Sequence, residues 1–106
     1  MLQLKEGVVM HGNKYLNAII QAVQIVFARS LTNVVVTSGD DGTHGPNSYH
    51  KKHRALDIRF WDIPPENRRR VAEEIRALLP DYYDVVMESD HYHIEADEFK
   101  EQGVKV

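Results

Sequence analysis

Across residues 13–30 the apolar side chains of Leu16, Ile19, Ile20, Val23, Val26 and Phe27 recur at steps of three and four. That spacing predicts an amphipathic helix with this face in the core. The β-branched run Val34-Val35-Val36 predicts a buried strand that ends at Ser38-Gly39. Residues 54–60 alternate instead, with Leu56, Ile58 and Phe60 on one side and Ala55, Asp57 and Arg59 on the other. This is a strand with one greasy face. Pro64 and Pro65 suit the start of a second helix, whose face is marked by Val71, Ile75, Leu78 and Leu79 until Pro80 stops it. Residues 83–88 and 92–95 read as strands connected through Ser89-Asp90-His91, and the polar tail after Asp97 is expected to be loosely ordered. The order predicts an α+β domain, two helices packed on a small, mainly antiparallel sheet.

One stretch breaks the pattern. Between Gly39 and Tyr49 the chain runs Asp-Asp-Gly-Thr-His-Gly-Pro-Asn-Ser, well beyond a usual connection of about 4–6 residues. Connections of that length are functional or disordered. Asp40-Asp41-Gly42 lacks the liganding register of a calcium loop, and His44 reads as an ordinary loop residue.

Composition narrows the chemistry. A chain of 106 residues reads as one domain over 1–106, and it has no cysteine, which excludes disulfide scaffolds, thiolate metal sites and cysteine nucleophiles. Thirteen Lys and Arg against sixteen Asp and Glu leave a net charge of −3, without the positive field that nucleic-acid binding needs. The Arg68-Arg69-Arg70 run is offset by Glu73 and Glu74 and reads as a solvated face. No segment has the apolar length of a membrane span, and the first residues lack the basic and apolar regions of an export signal. The expectation is a soluble protein, cytoplasmic as synthesised, with neither nucleic acid nor membrane as partner.

Four of the six histidines bracket acidic residues in two clusters, 48–57 and 90–93. Without cysteine, zinc takes imidazole nitrogens and carboxylate oxygens, and a catalytic site uses three protein ligands. His50, Asp57 and His93 would make such a set, one from the end of the loop and two from separate strands. Asp57 is the informative member, because an unpaired carboxylate in an otherwise apolar strand is expensive to bury. A cation would explain it; so would a salt bridge with Arg54 or Arg59. His91 and His93 are two apart and face the same side of a regular strand, whereas Asp90 joins them only if the chain is irregular at the strand entrance. An HExxH helix is absent from the sequence.

The pattern Ser48-x-His50-x(6)-Asp57 followed by Asp90-x-x-His93 resembles the zinc D-Ala-D-Ala carboxypeptidases and dipeptidases, the L-alanyl-D-glutamate peptidases of phage lysins, and the related Hedgehog signalling domain. The resemblance covers residues 34–95 and is carried by about ten positions. It implies a Hedgehog-like, DD-peptidase-like fold in which His50, Asp57 and His93 hold Zn²⁺. It further implies that Asp90 is the general base and acid and that His91 assists at the reacting carbonyl. The implied activity is zinc-dependent hydrolysis of peptidoglycan stem peptides at a bond involving a D-amino acid, at the cell wall after release. Both the carboxypeptidase type and the endopeptidase type fit; the alternative is a zinc-binding module of the same fold without catalysis.

Departures from the family pattern bear on substrate binding. Where many members have Ser-Gly-Tyr-Arg, whose Arg helps hold the substrate, this chain has Ser38-Gly39-Asp40-Asp41, so Arg59 or Arg54 would have to substitute. Where the family commonly has Gly, this chain has His53, read as solvent-facing or as an extra ligand. Ser48, Tyr49, Tyr92 and Arg59 are the expected substrate-binding residues. Trp61 is a core candidate by residue type and otherwise part of the same groove, and His11 is given no role.

Overall fold

A computed structural model describes residues 2–10, 12–39, 49–50 and 52–103. Asp40, Asp41, His44, Ser48 and His11, each named in the sequence reading, lie outside the described residues. The elements run β1 (Leu2–Leu4), α1 (Lys14–Ala28), β2 (Val34–Ser38), β3 (Ala55–Arg59), α2 (Arg68–Ala77), β4 (Tyr83–Met87), β5 (His91–Ala96) and α3 (Glu98–Glu101), with a short 3₁₀ turn (Pro65–Asn67) leading into α2. The fold is α+β, with a five-stranded mixed sheet ordered β1-β2-β3-β5-β4. Among the described residues β1 and β2 pair in parallel and the other three pairings are antiparallel.

The alternation seen in the sequence becomes two unlike sheet faces. Leu56 and Ile58 of β3, Tyr92, Ile94 and Ala96 of β5, and Val34 and Val36 of β2 are buried in one core with Leu16, Ile19, Val23, Val26 and Phe27 of α1 and with Val71 and Ile75 of α2. The intervening residues Asp57, Arg59, His91, His93 and Glu95 are only partly covered, and they share the opposite face. Pairing of Asp57 with His93 and of Arg59 with His91 brings the polar positions of β3 and β5 side by side. The helices thus hold one face of the sheet and the titratable side chains hold the other.

Local chemistry sets the helix ends. Asn13 caps α1 by accepting from the Tyr15 and Leu16 N–H groups, both at 2.9 Å. At the far end Leu31 turns left-handed with φ 54°, which lets Thr32 N–H reach the Phe27 carbonyl at 3.0 Å. Leu31 stands where helices usually place glycine, and it is 94% exposed.

Three expectations need correction. β1 was not foreseen, because three residues are too few to display a period. Leu78 belongs to the C-terminal turn of α2 and is 44% exposed, not part of the core face. The tail is ordered over residues 98–103: Asp97 caps α3, and Glu101 accepts from Arg54 Nη2 (2.9 Å) and Tyr15 Oη (2.8 Å). No helix among the described residues is long and apolar enough to cross a membrane.

Candidate metal centre

His50, Asp57 and His93 each turn one ligand atom inward, and the three atoms lie within 4.8 Å of one another. Asp57 Oδ1 is the hub, 3.3 Å from His50 Nε2 and 2.9 Å from His93 Nδ1. Donors on a tetrahedral ion with bonds of about 2.0–2.1 Å stand roughly 3.3–3.4 Å apart, so the His50–Asp57 spacing suits an ion of that size, while the His93–Asp57 contact is that of a hydrogen bond. The group can hold a metal ion.

The surroundings fit that role. The Gly39 carbonyl lies 2.8 Å from His50 Nδ1; it accepts the N–H there and leaves Nε2 to face Asp57. Gly39 is required at that place, since a Cβ would stand 2.5 Å from the Val9 carbonyl oxygen. Between Val36 and Ser38 the β2–β3 register shifts, and the strand delivers Gly39 to His50 immediately beyond the irregularity. On the other side, Glu95 Oε1 is 2.7 Å from His93 Nε2 and fixes the second ring from behind. Each imidazole therefore has one nitrogen held and the other turned to the centre.

Asp57 is partnered by histidines, not arginines. Arg54 is engaged by Glu101 and by the Ala96 carbonyl (Nε, 2.7 Å), and its guanidinium lies 3.9 Å from the centre of the Tyr15 ring. Arg59 stacks 3.8 Å over the Trp61 ring, and the ion-pair partners of Asp57 among the described residues are His50, His91 and His93. The salt-bridge explanation of Asp57 is thereby set aside. Burial pushes its carboxyl up, but hydrogen bonds from His50 and His93 outweigh burial and hold it well below the usual carboxylate range. His93 moves the other way: hydrogen bonds to Asp57 and then Glu95 push its imidazole up to about 9. A ring with a carboxylate at each nitrogen needs a positive charge at the Asp57 side, either a proton on Nδ1 or a metal ion in its place.

Asp90 and His91 stand beside this group. Asp90 sits in the bend before β5, which is the irregularity the sequence requires, and its Oδ1 is 2.6 Å from His91 Nδ1. The other ring nitrogen, Nε2, is 3.7 Å from Asp57 Oδ1. A cavity of about 260 Å³ opens here, lined by Asp57, Asp90, His91, Arg59, Trp61 and Lys5 together with Thr37 and Ser38. Trp61 is 59% exposed at its rim, so the reading as a core residue is corrected.

The remaining expected substrate residues fare differently. Tyr92 is a correction: it is 0% exposed on the helix-packed face, its hydroxyl donates to the Arg68 carbonyl at 2.6 Å, and its ring meets Phe60 edge to face. The alternation that joins His91 to His93 sends Tyr92 the opposite way. Tyr49 is half-buried under Lys52 Nζ, 5.3 Å from its ring, and burial followed by Asp97 pushes its phenol up, which locates it by the acidic end of β5 and outside the cavity. His53 is exposed in a turn with φ 56°, so it stands outside the ligand group. Gly39, Glu95 and Lys5 were missed; only Glu95 had a visible signal, as the next same-face residue in His-x-His-x-Glu. A second set, Asp84, Glu95 and Asp97, also converges within 4.8 Å, with Asp84 bound to Lys100 Nζ at 2.5 Å. No protein-family model matches this chain, and no curated protein sequence matches it.

Proposed function

We propose that this chain is a zinc peptidase of the Hedgehog-like, DD-peptidase-like fold that hydrolyses peptidoglycan stem peptides at a bond involving a D-amino acid. The observation that carries the reading is one sheet face on which a two-histidine, one-carboxylate group adjoins a hydrogen-bonded Asp90–His91 pair at an open cavity. The donor set suits zinc, since imidazole and carboxylate without thiolate are the ligands of a hydrolytic zinc site with one position left for water or substrate.

His50 Nε2, Asp57 Oδ1 and His93 Nδ1 would hold the zinc, which would supply Lewis acidity toward a carbonyl and lower the pKa of water. The chain's own residues do the rest. Gly39 and Glu95 hold the two liganding rings in orientation. Asp90 takes the proton of the attacking water as the new C–O bond forms, and returns it to the leaving nitrogen as the C–N bond breaks. His91, anchored through Nδ1 to Asp90, offers Nε2–H to the oxygen on which charge develops.

The test is mass spectrometry of purified peptidoglycan fragments incubated with zinc-loaded protein, with Asp90→Asn as control. A new amino terminus or released D-alanine that disappears in the variant supports the peptidase and names its bond. Intact fragments with both proteins, across several peptide types, favour a zinc-binding module without catalysis.

A further inference from the structure

Strand β4 ends the sheet, and among the described residues no strand pairs with its outer side. Its register with β5 is unbroken from Tyr83 to Met87. The bonds at each end of the ladder, Asp97 N–H to the Tyr82 carbonyl (2.8 Å) and Glu88 N–H to the His91 carbonyl (2.9 Å), fix its phase. Successive residues of an antiparallel pair turn their backbone groups to opposite sides, so Asp84 and Val86 face β5 while Tyr83, Val85 and Met87 face outward. Two outward groups are engaged: Tyr83 N–H with the Pro80 carbonyl at 3.0 Å, and the Val85 carbonyl with Arg76 Nη2 at 2.6 Å. The Val85 N–H and both backbone groups of Met87 carry no hydrogen bond among the described residues. Edges are commonly blunted by a proline, a bulge or a charge on the core side. β4 has none of these, and Val86 and Met87 stand 45% and 42% exposed on it.

A groove of about 290 Å³ runs beside this edge, between β4 and α2, with Ala72, Val85 and Met87 in its lining and the charged row Arg69, Glu73 and Arg76 along the helix side. It accounts for the arginine run at the start of α2. Arg68 turns inward to the Ile63 carbonyl (2.8 Å) and the Phe60 ring, and Arg70 pairs with Glu74 at 3.1 Å. Arg69 lines the groove, whose single carboxylate, Glu73, is paired with Arg76. The groove therefore holds two guanidinium groups against one carboxylate.

A row of outward N–H and C=O groups at strand spacing matches an extended peptide backbone, and a helix flanking the edge gives its alternate side chains a wall. Arg69, Ala72 and Arg76 follow one another along α2 at steps of three and four, with about 10 Å of rise from first to last. On an added strand, side chains four residues apart on one face are separated by about 13 Å, and the length of arginine takes up the difference. The order cation, apolar, cation thus calls for acidic, apolar, acidic at alternate positions. We infer that the β4 edge and the α2 groove form a docking site for an extended acidic segment of another protein, of the pattern acidic-x-apolar-x-acidic, which adds to the sheet beside β4. An N–H of the segment takes over the Val85 carbonyl and frees the Arg76 guanidinium for a carboxylate of the ligand. A second copy of this chain is a poor occupant, because pairing two β4 edges brings two α2 helices together with Arg69 and Arg76 of each beside those of the other. The site lies outside the metal group and does not depend on the peptidase reading.

The probe is the peptide acetyl-Ser-Glu-Thr-Val-Thr-Glu-Ser-amide, added to the full chain and followed by NMR amide shifts and amide hydrogen exchange. Slower exchange at Val85 and Met87, shifts centred on β4 and α2, and a Kd below about 1 mM are expected. The peptide with both Glu replaced by Lys, and the acidic peptide N-methylated at Thr-Val-Thr, are each expected to bind at least about 10-fold more weakly. Arg69→Glu reverses the preference between the acidic and basic peptides. Met87→Pro removes an outward N–H where an edge strand accepts proline, and weakens the acidic peptide. Arg69 is exposed, so its variant keeps the test decisive even where Met87→Pro fails to fold. Unchanged exchange at Val85 and Met87, or equal binding of the acidic and basic peptides, overturns the site. Protection of these amides that grows with protein concentration in the absence of peptide, with a dimer in sedimentation, overturns it in favour of self-pairing.

Discussion

Metal binding at this centre must displace a proton, and the size of that competition can be worked out. His93 Nδ1 and Nε2 face Asp57 and Glu95 at 2.9 and 2.7 Å, and the pair of carboxylates pushes the imidazole up to about 9. At pH 7 the ring is therefore about 99% protonated in the ion-free protein, and a metal ion at Nδ1 requires that proton to leave. Two pKa units correspond to about 2.7 kcal/mol, so apparent affinity at pH 7 is about 100-fold below its limit above pH 9. The logarithm of the zinc association constant should rise with slope near one between pH 7 and 8.5, with one proton from His93 released per ion. Chelator competition gives the slope, and calorimetry in buffers of different ionisation enthalpy counts the protons. Glu95→Gln removes one of the two carboxylates and shifts the upper break to lower pH. An affinity that is flat over this range with no proton release would refute the reasoning, because His93 would then be neutral or not a ligand.

Further expectations concern stability. The ion-free protein should be most stable below pH 6.5 with respect to His93, and should lose this contribution, up to about 3 kcal/mol, as pH rises through about 9. The raised folded-state pKa sets that sign, and thermal melts from pH 6 to 10 with chelator present check it. Gly39→Ala forces a Cβ against the Val9 carbonyl, which is expected to cost about 1–3 kcal/mol in denaturant melts. It also displaces the carbonyl that orients His50 and lowers zinc affinity about 10- to 100-fold. His53→Gly relieves a left-handed residue at φ 56° whose carbonyl accepts from Asn13 Nδ2. The relief outweighs the entropy glycine adds to the unfolded chain, so a gain of up to about 1 kcal/mol is expected, read as a Tm rise of a few degrees.

The parts of the fold that were legible are those with enough residues to repeat. Leu16 to Phe27 spans three turns, and the alternation of β3 and β5 assigns each residue a face, so the union of Asp57 with His93 follows once the two strands pair. Tyr92 was misassigned by its neighbours in sequence when the same alternation placed it with Ile94. β1 and α3 were invisible because three or four residues carry no period; contacts distant in sequence stabilise them, Lys5 N–H to the Val36 carbonyl in one case and Glu101 to Arg54 in the other. Gly39 was read as a strand end, and its function as the holder of His50 depends on Val9, thirty residues earlier, which no local pattern encodes. The candidate group of His50, Asp57 and His93 was legible for a different reason: an acidic residue inside an apolar strand has few explanations, and histidines at matching spacing supply one.

The central claim is that His50, Asp57 and His93 together ligate zinc at a site with room for a reacting molecule. Zinc K-edge X-ray absorption on protein loaded with one equivalent tests it most directly. The account predicts about four light-atom neighbours at roughly 2.0–2.2 Å, with the outer-shell scattering of two imidazoles reduced to that of one in His93→Ala. A six-oxygen shell without imidazole scattering, or a spectrum unchanged by His93→Ala, would contradict it.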